Sequence, residues 1–383
     1  MSLKKSTLAL IAFLILTLTG CNKLSMYSEF HEPDELVVIS TIGVDYADGK
    51  VTVTAETGTG LDGTPPTIFK ETAGSLAEAV NAIQNGFISK EAYFAQTDRI
   101  VIGSEAAERI FDEIMDYIAR DVSMRLAADI YIVKNGTAQD LIEHAAGNDV
   151  SASDLLSAIS DRAGTLEIGT VYSCGDIVTG LMKDRAALAM AIEESPVVEV
   201  SDEKEKAGIL PAGNAILKNG KVKTYLPKAA TAGIMILRNE LSTGLVSVSI
   251  PQGDAVLKIM SIKAEYESDD YSKELKIKIS ARMSVIETAG DIHLTDEVTL
   301  NALEKNASET LVEYVKAAVI AAQNEKLDIF GIGQKLEIKN PKKYDIVKKS
   351  WDEVFSDLSI TVEAEAKISN TYDIENSLGI NGG

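Results

Sequence analysis

At 383 residues the chain is too long for one ordinary core, and at ~150 residues per domain it predicts two or three. Its composition, 45% hydrophobic and 25% charged with 27 Gly and 8 Pro, is that of a folded globular protein and excludes collagen-like, disordered and disulfide-scaffold classes. Lys and Arg number 37 against 58 Asp and Glu, and a formal charge of −21 excludes nucleic acid as a partner by repulsion from phosphate backbones.

Lys4 and Lys5 precede an apolar run at 8–18 (LALIAFLILTL), which ends in Leu18-Thr19-Gly20-Cys21. A basic start, a short apolar stretch and small residues at the break are ordered as in a signal peptide. The run is shorter than the ~20 residues that span a bilayer, so cleavage is expected between Gly20 and Cys21. Leu-Thr-Gly-Cys also resembles a bacterial lipobox, in which the cysteine sulfur receives a diacylglycerol and becomes the new amino terminus. Cys21 is the expected lipidation site; the alternative is an ordinary signal peptide followed by a free or bridged Cys21. Each buried CH₂ contributes about 0.8 kcal/mol, so a two-chain lipid anchors stably where one chain does not. Removing 1–20 takes away two lysines and no acid, which moves the charge from −21 to −23. The expected grip on the membrane is therefore lipid. With Cys21 acylated, Cys174 is the one thiol left, expected to be free and buried, with an intermolecular bridge as the alternative.

Residues 22–35 are polar and mixed and read as a tether, 21–35 with the lipidated cysteine. Residues 36–46 are apolar and β-branched, Ala47-Asp48-Gly49-Lys50 supplies a turn, and Val51, Val53 and Ala55 alternate with polar residues, which predicts a β-hairpin. Ser75-Leu76-Ala77-Glu78 is a capping-box pattern opening a helix with Leu76, Val80 and Ile83 on one face. A strand at 99–103, a helix after Ser104 with Ile110, Ile114 and Ile118 at four-residue spacing, a strand at 128–133 and a helix after Thr137 follow. These make 36–200 an N-terminal α/β domain. The charge run at 201–208, with Pro211 and Gly213 beyond it, predicts a boundary. A small β-rich middle domain is expected over 201–255. In the C-terminal α+β domain, 256–383, Leu275, Ile277, Ile279, Ala281, Met283 and Val285 alternate as in a strand with one buried face. A helix over 300–323 carries Leu303, Ala307, Leu311, Val315, Ala318 and Ala322 as its buried stripe; at 1.5 Å per residue it spans roughly 36 Å. Leu358, Ile360, Val362, Ala364, Ala366 and Ile368 close with a strand. The expected fold class is α+β: three domains of mixed, largely antiparallel sheets backed by helices, preceded by a lipoprotein signal peptide.

The sequence offers little chemistry. His31, His144 and His293 are far apart, without the spacing that gives two metal ligands one face. Ser201-Asp202-Glu203-Lys204 satisfies Ser-x-x-Lys, but an exposed charge run keeps the lysine protonated. Gly58-Thr59-Gly60-Leu61-Asp62-Gly63 matches a dinucleotide-binding pattern, yet Thr64-Pro65-Pro66 bars the helix that would hold a pyrophosphate. Asp269 and Asp270 are ordinary surface acids of an acidic chain, and the glycosylation patterns at Asn135 and Asn306 are discounted in a lipobox-bearing bacterial protein. No catalytic, metal or cofactor site is expected, which favours binding or assembly over catalysis.

Four collinear segments carry a resemblance: LVVISTIGVDYADGKVTVTAET at 36–57, DRIVIGSEAAERIFDEIMDYIARDVSMR at 98–125 with Arg120-Asp121 and Arg125, AAVIAAQNEKLDIFGIG at 317–333, and WDEVFSDLSITVEAEAKIS at 351–369. Together with the lipobox they resemble the GerC-type family, the C-subunit lipoproteins of nutrient germinant receptors in endospore-forming bacteria. One departure is Asn22-Lys23-Leu24 after the lipid cysteine, where family members often carry Trp-Asp and basic residues. The resemblance implies a three-domain α+β protein, not an enzyme and without cofactors, lipid-tethered on the outer face of the spore inner membrane. It further implies work beside a polytopic, transporter-like B subunit and an A subunit with membrane and soluble parts. A solute-binding lipoprotein of a membrane importer is the alternative; it predicts two similar α/β lobes joined by a hinge.

Overall fold

The computed structural model describes residues 35–60, 63–165, 168–184, 186–194 and 208–370. The signal peptide, Gly20, Cys21, the tether up to residue 34, Leu61 and Asp62 of the glycine loop, and Ser201 to Lys204 lie outside the described residues.

β1 (Leu36–Val38) leads into the expected hairpin of β2 (Thr41–Ala47) and β3 (Lys50–Glu56), followed by β4 (Ile68–Ala73). Asp48 and Gly49 take positive φ, 51° and 76°, as a two-residue turn between twisted strands requires. α1 (Leu76–Asn85) starts where the capping pattern placed it: the Ser75 side chain accepts the Glu78 N–H, and Glu78 accepts that of Gly74. β5 (Glu91–Tyr93) and β6 (Arg99–Ile102) come next.

The single helix predicted after Ser104 is two, α2 (Ser104–Arg109) and α3 (Phe111–Arg120), broken at Ile110 with φ −129°. The break lets Ile110 and Phe111 both enter the core, where adjacent residues of an unbroken helix diverge by ~100°. β7 (Asp129–Val133), α4 (Ala138–Ala146), α5 (Ala152–Asp161), β8 (Tyr172–Ser173), α6 (Cys174–Asp184) and β9 (Ala186–Glu194) complete this stretch. Cys174 at the head of α6 is free and buried, and burial pushes its thiol up to about 11.

Beyond residue 208 come β10 (Ile209–Lys218), β11 (Lys221–Tyr225), α7 (Lys228–Arg238), β12 (Leu245–Ile250), β13 (Gly253–Glu267) and β14 (Glu274–Gly290). α8 (Glu297–Asn324), α9 (Ile332–Lys339), α10 (Pro341–Val347), α11 (Trp351–Ser356) and β15 (Ser359–Asn370) end the described chain. Among the described residues, the main sheet has nine strands ordered β11-β10-β9-β7-β6-β2-β3-β4 with β8 on β7, and a second has four, β12-β13-β14-β15. β1 pairs β5 in a short parallel ribbon.

Two expectations change here. The main sheet is antiparallel on its flanks and where the short β8 joins β7, while β2, β6, β7 and β9 run parallel through its centre, because helical crossovers return each strand in the same direction. The strands expected in a middle domain make no sheet of their own. β10 lies antiparallel along β9, from Ile209 opposite Glu194 to Lys218 opposite Ala186, and covers what would be an open edge; β12 instead opens the second sheet.

The C-terminal pattern holds closely. Leu275 through Val285 bury on alternate positions of β14, and the α8 stripe Leu303, Ala307, Leu311, Val315, Ala318 and Ala322 is buried against the sheet. Among the described residues no helix is long and apolar enough to cross a membrane.

Candidate functional site

The candidate site is the joint between the two sheets, and it is organised by α7. Every residue from Ala230 to Leu237 is buried, as befits a helix that is apolar all round and serves as core. Its Gly233 lies against the Tyr314 carbonyl of α8; a Cβ there would overlap that oxygen, so glycine alone permits this approach. α7 stops at Asn239, in left-handed conformation with φ 57°. The Asn239 side chain accepts the Ala264 N–H at 2.9 Å and donates to the Ala264 carbonyl at 3.3 Å, which fixes the helix end to β13.

On the main-sheet side Asn214, buried in β10, accepts the Thr170 N–H and donates to the carbonyls of Thr170 and Ala189, while its own N–H goes to Thr231 Oγ1 of α7. Lys218, also on β10, donates to the Glu325 carbonyl at 3.0 Å and faces Asp352 at 3.6 Å. Polar groups sealed in an interface must find partners, and these partners come from both units.

Next to α7 opens a cleft of about 640 Å³ lined by Tyr172, Lys183, Arg238, Glu240, Tyr266 and Lys335, among others. Arg238 donates to Glu240 at 2.7 Å and to the Ile329 carbonyl at 3.0 Å, and its guanidinium stands 5.5 Å from the Tyr172 ring centre. Tyr172 donates to the other Glu240 oxygen at 2.5 Å, and burial pushes its phenol up. Tyr266 donates to the Leu237 carbonyl at 2.5 Å with Lys335 4.6 Å above its ring. On the cleft wall, Asp328 of the Asp-Ile-Phe-Gly turn accepts the N–H groups of Ile332 and Gly333 at the start of α9 and the Trp351 indole N–H at 3.0 Å. Gly333 is tight against that indole, where a Cβ would meet Nε1 at 2.8 Å. Arg238, Glu240 and Tyr172 thus satisfy one another across the joint, an arrangement suited to holding two units in register.

Elsewhere two buried carboxyls are structural. Asp45 accepts the N–H groups of Ala138 and Gln139 at the start of α4, and burial raises its pKa. Glu56 does the same for Ala152 and Ser153 at α5; burial pushes it up to about 7 against the pull of those N–H groups. Each offsets orphan donors at a helix start. Gly103 is required beside Asp45, since a Cβ would overlap Oδ1.

Those residues weighed in the sequence that are described stay apart, while His31 lies outside the described residues. His144 stands 3.2 Å from Glu194 and His293 3.2 Å from Asp291. Asp270 pairs with Lys343, which with Ser272 holds its carboxyl down at about 2. Gly63 has positive φ and is followed by a loop and then β4, not by a helix, so the glycine motif forms no phosphate cradle among the described residues. Among those residues no cluster of three or more His, Cys, Asp or Glu could hold a metal. Asn214, Arg238, Glu240 and Tyr172 escaped sequence reading because three segments far apart in the chain bring them together; Asp328 was visible only inside its resemblance motif.

Comparison with known proteins adds the family. The model of a spore germination protein N-terminal domain matches 29–193, and that of the spore germination B3/GerAC-like C-terminal domain matches 212–372. Spore germination protein KC of Bacillus subtilis (strain 168) is 22% identical over 405 residues, covering 96% of each chain. The putative spore germination protein YfkR of the same organism is 19% identical over 292 residues, covering 75% of this chain and 74% of its own. The crystal structure of the GerBC protein superposes with a TM-score of 0.56 at 15% identity, covering 86% of this chain and 97% of that one, a likeness of fold. With both family domains in order along the chain, it belongs to the GerC-type spore germination proteins.

Proposed function

We propose that this chain is the lipid-anchored, non-enzymatic C subunit of a spore nutrient germinant receptor, held on the outer face of the spore inner membrane by diacylglycerol on Cys21 and assembled with membrane A and B subunits to trigger germination. The carrying observation is the ordered match of both germination-protein domains along the chain. The three parts named earlier, 36–200, 201–255 and 256–383, remain a proposal for its domains, with the middle part shared between the two sheets. The role is mechanical. The joint ties the two sheets through Asn214, Lys218 and Arg238, so a force on one unit is passed to the other.

Cys21→Ala should release the protein from membranes, read by pelleting after a carbonate wash; persistent pelleting argues against the anchor. Deleting the gene should slow nutrient-triggered germination with sporulation intact, and unchanged germination with every nutrient would overturn the receptor role. Affinity capture of the tagged chain from spore membranes should bring down the A and B subunits.

The importer alternative has one observation in its favour, the cleft beside α7. Against it, the two units are unlike: nine strands with a parallel centre in one and four strands in the other.

A further inference from the structure

The main sheet has one edge defined by register: Ile68, Glu56, Thr41, Arg99 and Asp129 stand side by side on β4, β3, β2, β6 and β7. The chain enters the fold at this edge. Leu36, the first residue of β1, is five positions ahead of Thr41 and pairs with Glu91 of β5. Two loops meet the same edge. One, at 86–90, is pinned where the Phe87 ring packs on that of Phe69, 4.8 Å between centres, one residue from Ile68. The other, at 121–128, is pinned where Met124 lines a small cavity with Ile42 and Ile100, each one residue inside the edge.

Both loops carry apolar side chains in water. Ile88 and Val122 are fully exposed and Leu126 is half-exposed. Neither loop needs these residues for its own packing, since Phe87 and Met124 do that work. Within the two loops basic side chains outnumber acidic ones: Lys90 and Arg125, both exposed, stand against Asp121, which accepts from the N–H and hydroxyl of Ser123, while Glu91, Asp98 and Asp129 border the same edge and Arg99 pairs with the last two. Exposed apolar tips flanked by basic side chains match the interface of a bilayer, where the tips enter the acyl boundary and the cations meet phosphate.

We propose that this edge is a second membrane contact, in which Ile88 and Val122 insert into the headgroup region of a phospholipid bilayer beside Lys90 and Arg125. The inference rests on the lipid anchor at Cys21 proposed above. A tether of residues 21–35 reaches at most about 50 Å when extended, and it delivers the fold to the membrane by this edge. The edge then gives the anchored chain a fixed orientation, with the β2–β3 hairpin tip pointing away from the bilayer. Lys50, at that tip, is separated from Thr41 by the length of β2, about 20 Å at ~3.3 Å per residue.

The test is collisional quenching on the full-length chain, matured and acylated in a lipoprotein-processing host and reconstituted in phosphatidylethanolamine and phosphatidylglycerol vesicles doped with a doxyl-labelled lipid. A thiol-reactive fluorophore is placed at Ile88→Cys, Val122→Cys or Lys50→Cys; Cys174 is buried and Cys21 acylated, so neither competes. Quenching at 88 and 122 should be at least twofold stronger than at 50. Equal or weaker quenching at 88 and 122, with the protein still pelleting with the vesicles, overturns the docking edge and leaves the anchor standing. Failure of the acylated chain to pellet overturns the anchor, and the docking edge with it. A partner protein as the true occupant of the edge would give the first of these failures, because the vesicles hold this chain alone.

Discussion

The main sheet and the C-terminal sheet solve burial in different ways. In β14 and α8 every second or every third-to-fourth residue faces the core, broken in β14 only where Ser284 is buried between Met283 and Val285, so hydrophobic patterning largely specifies which side goes in. In β7 and β6 no such side exists: Ile130, Tyr131 and Ile132 are all buried, as are Ile100, Val101 and Ile102, because helices cover both faces. On this doubly covered sheet two helices, α4 and α5, start inside, and their unpaired N–H groups must be met there. Asp45 and Glu56 meet them. The C-terminal unit has its helix start at the surface, where Asp296 accepts the N–H groups of Val298 and Thr299 in solvent. One unit is therefore held by pattern and the other by pattern together with buried charge-capable groups, so the two should answer differently to mutation and to pH.

The sharpest way to break that contrast is at the seam. Gly233→Ala pushes a methyl group into the Tyr314 carbonyl and close to the Ala318 side chain, both on a long helix that cannot yield locally. Overpacking of that kind costs about 3 kcal/mol or more. Urea unfolding should show a lower midpoint. If the two units are coupled through α7, tryptophan fluorescence from Trp351, on the C-terminal side, should fall in one transition with the far-ultraviolet dichroism of the whole chain. A separate early fluorescence transition would mean that the seam opens before the main sheet melts.

The next effect belongs to the main sheet alone. Glu56 has its pKa raised from 4.5 to about 7. Between those values the folded chain keeps a proton that the unfolded chain has lost, so its contribution is full below pH ~4.5 and is lost as pH rises through ~7. A shift of this size corresponds to a change of roughly 3 kcal/mol. Glu56→Gln cannot ionise, and its mismatch with one N–H lowers stability alike at every pH. The difference in unfolding free energy between variant and parent should therefore narrow in the variant's favour from pH 4.5 to 7.5. A flat difference would show that the carboxyl is ionised in the fold throughout.

How far the sequence could be read follows the same division. The α8 stripe and the β14 alternation were legible because their contacts repeat with the period of the element itself. The Ser75 cap and the Asp48-Gly49 turn were legible because their partners lie within four residues. The allegiance of β10 to the main sheet was not, since it depends on pairing with β9 across the 195–208 segment, and the break at Ile110 answers to burial of Phe111 rather than to any local signal. Asp45 and Glu56 look like any other acids in a chain with 58 of them. The joint was the least legible part: Tyr172, Arg238 and Glu240 acquire meaning only when α7 is laid between the sheets.

The smallest effect sharpens the pattern-held unit. Ser308, on the face of α8 turned to the sheet, accepts the Ala366 N–H of β15 at 2.9 Å, while Glu304 one turn earlier accepts that of Ile368. Among the described residues β15 is an edge strand paired only with β14, so these two side chains take up donors that would otherwise invite another strand. Ser308→Ala removes one acceptor and no volume to speak of; a partly buried N–H loses its partner, at about 1 kcal/mol. Because Glu304 still holds Ile368, the strand stays docked and the loss is local. Amide exchange should quicken at Ala366 and leave Ile368 protected, with the urea midpoint barely moved. Quickening along the whole of β15 would show that Ser308 anchors the strand, and that the C-terminal unit leans on buried polar contacts as the main sheet does.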